Sequence, residues 1–143
     1  MNQSIETWVA NLIRTHLDLL ATSAATRACE LIPIYRTMDP LQLHAAFANL
    51  YQAIAATVGE SDPAPLRGHL EQQIPQRLRQ GMAVTDLLHL SVVLQDELEH
   101  LVEQEAAAES MPTAPALRLL QSTQTRVRMI VSGINLQVLA TPG

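Results

Sequence analysis

Apolar residues recur every three or four positions along most of the chain, and no stretch alternates apolar and polar as a half-buried strand does. The pattern predicts helices. The first runs from about Ser4 to Thr22, with Ile5, Trp8, Val9, Leu12, Ile13, His16, Leu19 and Leu20 on one side. A short helix comes next, from about Ala24 to Leu31, and ends near Pro33. Asp39-Pro40 opens the third, because aspartate accepts from free amides and proline fits the first turn. That helix reaches Val58, with Leu43, Phe47, Leu50, Ile54 and Val58 inward and Gly59 as its stop. Asp62-Pro63 starts a segment running to Gln80, with Leu66, Leu70, Ile74 and Leu78 inward. Pro75 is expected to kink or divide it, and Gly81 to end it.

Thr85-Asp86 opens a long helix to about Glu109. Its first half is apolar on several sides, through Leu87, Leu88, Leu90, Val92, Val93 and Leu94, which places it centrally or against a partner. A turn over Met111 to Pro115 precedes a last long helix, from about Ala116 to Ala140. In it Leu117, Leu120, Gln124, Val127, Val131, Ile134 and Val138 are spaced alternately three and four apart. This is a heptad seam with one glutamine; it reads either as the inward face of an ordinary amphipathic core helix or as a dimer interface, and the seven residues are carried forward as interface candidates. The fold expected is all-α, a globin-like or helical bundle of about six helices in a single domain over residues 1–143. Thr141-Pro142-Gly143 ends the seam abruptly, so the chain is expected to be the N-terminal part of a longer protein.

Composition narrows the function. The chain has 143 residues, 48% hydrophobic and 16% charged, enough for one buried core. A net charge of −5, with no basic tract and only four aromatics, argues against a nucleic-acid partner. The single cysteine, Cys29, excludes an internal disulfide and a Cys-rich zinc site, and it reads as a small buried residue. No apolar run is long enough to span a bilayer, and the start of the chain is not a basic signal sequence. A cytoplasmic protein is expected.

Candidate chemistry is sparse. His16 lies in the apolar stripe of the first helix, where an imidazole needs a partner, and is taken as a candidate ligand contact. Arg77 lies at the edge of its helix's stripe, where a guanidinium needs an acceptor from the protein, a partner or an anionic ligand. Glu97 and His100 have the Glu-x-x-His spacing of di-iron bundles, but one copy is not a site, and both are read as solvated. Phe47, His69 and His100 have spacings loosely like those around a haem, though both histidines fall outside the expected core stripes. No nucleophile elbow or phosphate loop is present, so no catalytic residue, metal or cofactor is assigned.

The stretch from His69 to Leu88, which contains Ile74-Pro75-Gln76-Arg77-Leu78-Arg79-Gln80-Gly81 and Thr85-Asp86-Leu87-Leu88, resembles the N-terminal domain of RsbR-type proteins, the RsbT co-antagonists of bacterial stressosomes. Trp8 in a leading amphipathic helix also fits. Arg77, Gly81 and Asp86 match that pattern. Gln95 before Asp96 departs from it, since an arginine is expected in the middle of the long helix. The resemblance implies a dimeric non-haem globin-like input domain of a stress regulator or histidine kinase, placed ahead of an output domain. The function expected is therefore a non-catalytic sensor or scaffold that forms a homodimer, relays a helix shift, and binds an unidentified small molecule. The alternatives are a haem- or metal-binding helical protein, or a ligand-free dimerisation module.

Overall fold

A computed structural model describes residues 4–140, with side chains described as far as Ile134. It is an all-α bundle of six helices: α1 (Ile5–Thr15), α2 (Leu17–Leu31), α3 (Pro40–Glu60), α4 (Ala64–Arg79), α5 (Val84–Glu109) and α6 (Thr113–Ala140). A 3-10 turn over Pro33–Thr37 joins α2 to α3. Helix α3 is the partition. On one side it carries α1 and α2, and beyond its far end α4 turns back along α6, which itself pairs with α5. Among the described residues no helix is long and apolar enough to cross a membrane.

The first expected helix is two. The backbone breaks at His16, whose φ and ψ of −106° and 21° leave the helical region. Its ring Nδ1 lies 3.0 Å from the Leu12 carbonyl, the same oxygen that its backbone N–H reaches at 3.1 Å. A side chain bonded to the preceding turn competes with helix continuation. The break resets the phase of α2. Leu20, Ala21, Ala24 and Ala28 turn inward, and Leu19, expected inside, is 62% exposed. The separate short helix becomes the second half of α2. Arg36 then closes α2, with Nε donating to the Cys29 carbonyl at 2.6 Å and Nη2 to Glu30 at 3.1 Å.

Gly59 does not stop α3, which runs on to Glu60 and ends at Ser61 in the left-handed region. Its role is closeness: a Cβ there would lie 3.0 Å from the Ala10 Cβ. Pro75 does not divide α4, which is unbroken across it, held by buried Leu66, Leu70 and Ile74. Gly81 does end it, with φ of +97° and Met82 N–H bonded back to the Arg77 carbonyl. Asp86 accepts from the Ala83 N–H at the start of α5. Helix α6 begins earlier than expected, at Thr113, so Pro115 occupies its first turn, where no amide is needed. Of the apolar residues at the start of α5, Leu87, Leu90, Val93 and Leu94 are buried, Leu88 is half-buried and Val92 is exposed.

The heptad seam of α6 is corrected. Leu120, Val131 and Ile134 are buried within the protomer, and Leu117, Gln124 and Val127 are half-buried beside them. The row faces α5 and α4 rather than solvent, so it is core in this structure and not a dimer ridge. A spacing of three and four is also the inward face of an ordinary amphipathic helix, which is why the pattern misleads. Val138 lies outside the described side chains. Leu120→Ala is expected to destabilise the folded protomer by about 2–5 kcal/mol. Urea denaturation at several protein concentrations checks this, since a loss that vanishes on dilution would return the seam to an interface.

Candidate functional site

The α5 backbone comes close to α6 and α2, but hardly at all to α3 or α4. Side chains fill that separation only partly, leaving a cavity of about 110 Å³. Phe47, Leu50 and Ile54 of α3, Leu90, Leu94 and Leu98 of α5, and Leu120 and Val131 of α6 give it apolar walls. The polar exceptions are ordered. His69, Gln73 and Arg77 lie four residues apart on α4 and therefore share one face. Ser91 and Gln95 come from α5, Thr123 and Gln124 from α6. Three of these are already engaged. Ser91 donates to the Leu88 carbonyl at 2.6 Å, Thr123 to Leu119 at 3.0 Å, and Gln95 to Glu99 at 3.1 Å.

Among the described residues Arg77 is the one formally charged side chain on the wall. It sits with its guanidinium carbon 5.9 Å from the centre of the Tyr35 ring, within cation–π range. Its Nη1 donates to Gln80 Oε1 at 3.2 Å and lies 3.8 Å from Met38 Sδ. Among the described residues it makes no ion pair. Tyr35 is itself buried, its hydroxyl directed at Met82 Sδ at 3.7 Å. Burial raises the Tyr35 pKa, with Arg77 opposing and Asp86 adding to the rise, so the ring beneath Arg77 remains a neutral phenol.

His69, expected away from the core, is brought to the cavity wall with Phe47. Burial lowers its pKa below the ordinary 6.5, so the imidazole is neutral at pH 7. His100 is exposed on α5 and takes no part. The candidate His16 is also elsewhere. It forms the α1–α2 elbow, with Nε2 3.8 Å from Glu105 of α5. Of the two candidate ligand contacts, the structure places Arg77 at the cavity and His16 away from it.

Two features outside the cavity had no sequence signal. Trp8 Nε1 donates to Glu109 Oε2 at 2.6 Å, tying α1 to the end of α5. Arg27 donates to Glu97 at 3.0 Å, tying α2 to its middle, so the Glu-x-x-His glutamate is an ion-pair partner. Among the described residues no cluster of metal-ligating side chains occurs. Near Arg27 and Glu97 the Tyr51 hydroxyl is fully buried with no hydrogen-bond partner among the described groups. Burial first, and the Glu97 charge second, push its pKa well up, against an opposing Arg27.

Comparison with known protein families, curated proteins and solved structures found no match to the chain.

Two outcomes are expected from these environments. The folded His69 binds its proton more weakly than the unfolded chain does. Its contribution to stability is therefore fully present above pH 6.5 and is lost as the pH falls from there through the lower, folded-state pKa. Urea titrations from pH 8 to 5 are expected to show a shallower acid loss in His69→Gln than in the parent chain. Tyr51→Phe removes a hydroxyl that has no partner, so stability is expected to hold or rise. A partnered hydroxyl would instead lose about 1 kcal/mol, and thermal denaturation separates the two.

Proposed function

We propose that the chain is a non-catalytic signal-input domain, in which a small molecule held between α3, α4, α5 and α6 biases the packing of the last two helices. The observation that carries this reading is the cavity itself: an apolar chamber with a few polar groups, walled by the two longest helices of the bundle. The resemblance of residues 69–88 to RsbR-type input domains supports it, with Arg77 now on the chamber wall, Gly81 ending α4, and Asp86 opening α5. Pairing with a second copy and with an output partner in the cytoplasm belongs to the same reading, through outer surfaces rather than the α6 seam.

An input domain must carry occupancy beyond its ligand. The chain has one tryptophan, Trp8, which is not on the chamber wall and is bonded to the end of α5. It is therefore a reporter of relay. Toluene is expected to bind and to change Trp8 emission, and Ala46→Phe, which puts a ring into the chamber, is expected to abolish both effects. Toluene that raises the melting temperature while leaving Trp8 emission unchanged would refute the relay. Toluene that binds the Ala46→Phe variant as well as the parent chain would refute the chamber as an input site.

A further inference from the structure

We propose that the chamber takes a compact monocarboxylate with an apolar ring or branched body, its carboxylate held by Arg77. This rests on the reading of the chamber as the input site and names the chemical class it admits.

Size comes first. A volume of about 110 Å³ is comparable to an engineered protein cavity of roughly 150 Å³ that admits benzene. The occupant is thus about one ring with a small head group. Wall chemistry comes second. Phe47, Leu94 and Leu120 offer carbon to the body of such a ligand, with no carboxylate among the described wall residues.

Charge comes third. The chain as a whole carries −5, yet this chamber has a single formal charge, and it is positive. Arg77 has five N–H donors, and its protein acceptors are Gln80 Oε1 and the weak Met38 sulfur. A half-buried guanidinium with donors left over is suited to the two oxygens of a carboxylate. The Tyr35 ring, its centre 5.9 Å from the guanidinium carbon, also lines this end of the chamber. Asp86, close enough to act on Tyr35, accepts from the Ala83 amide and makes no ion pair with Arg77. One turn and two turns away on α4, Gln73 and His69 add neutral groups that donate without adding charge. A cationic ligand would meet Arg77 with no compensating carboxylate. A neutral ring would leave the guanidinium donors unused.

The test uses three probes that share one phenyl ring, on the folded chain: sodium benzoate, toluene and benzylamine, monitored by calorimetry and by chemical shifts of wall residues. Benzoate is expected to bind about 10- to 100-fold more tightly than toluene, the usual worth of hydrogen bonds to a charged group, and benzylamine least. Arg77→Gln is expected to bring benzoate down to the toluene level while toluene is unchanged. Arg77→Lys, which keeps the charge but not the fork, is expected to fall between them and guards against a folding defect in the glutamine variant. Ala46→Phe is expected to exclude both benzoate and toluene. Toluene binding as tightly as benzoate, or benzoate binding unaffected by either Arg77 variant or by Ala46→Phe, would overturn the carboxylate assignment and leave the input site standing. Failure of all three probes would overturn both.

Discussion

Close packing of α1 and α2 against α3, with α5 held away from it, determines the shape of this bundle. On the tight side, Gly59 admits Ala10 of α1 almost to contact, and α2 contributes the buried alanines Ala21, Ala24 and Ala28. Helices that meet through such residues approach closely, and packing there is dense and intolerant of added volume. On the other side α3 presents Leu43, Phe47, Leu50 and Ile54. Their bulk keeps α5 at a distance, and the leucines that α5 returns do not fill the space. One face of α3 is a joint and the other is a chamber wall.

Polar groups are distributed to match. On the joint side they are fasteners: Arg27 to Glu97, Trp8 to Glu109, and His16 beside Glu105 all connect the first two helices to α5. Around the chamber they are sparse, and the only charge, Arg77, has no ion-pair partner among the described residues. A protein that satisfies its charges on one side and leaves a guanidinium without a carboxylate on the other has an asymmetry that core packing alone does not require. A buried hydroxyl left alone, Tyr51, lies on the fastened side near Arg27 and Glu97, so its environment is polar although its own bond is unmade.

Helical periodicity made the number of helices and most of their ends legible, because caps and stops are local: Asp39 at α3, Gly81 after α4, and Asp86 at α5 all act within a few residues of themselves. Periodicity failed where a single residue resets the phase. His16 did so by bonding backward to Leu12, and the inward face of α2 moved with it. It also failed where a residue serves a neighbour rather than its own helix. Gly59 reads as a stop but is a contact point for α1, and His69 reads as solvated but faces space that α5 leaves open. The α6 seam was legible as an apolar row and illegible as to its partner, since a row packed on α4 and α5 has the same spacing as one packed on another copy. Arg77 was visible because a guanidinium at a stripe edge is unusual in itself. The tie between Trp8 and Glu109 spans 101 residues of sequence and could be seen only once the helices were assembled.

In the proposed reading, a relay from chamber to joint would run along α5. Leu94 and Leu98 face the chamber, and Glu105 and Glu109 face α1 further along the same helix. From Leu98 to Glu109 is about 16 Å along the axis, a length over which a continuous α-helix moves nearly as one body. On that reading, an occupant that displaced the Leu94–Leu98 turn would strain the Trp8 bond at the helix end. That bond is part-buried and charge-assisted, worth about 1–3 kcal/mol, and a ligand shifts packing only by its difference in affinity between the two arrangements. A compact ligand making one bidentate contact and a few apolar ones can supply a difference of that size, while the alanine joint around α3 stays put. On that reading the Arg27–Glu97 pair, one residue from Leu98, is where α2 would oppose such a displacement.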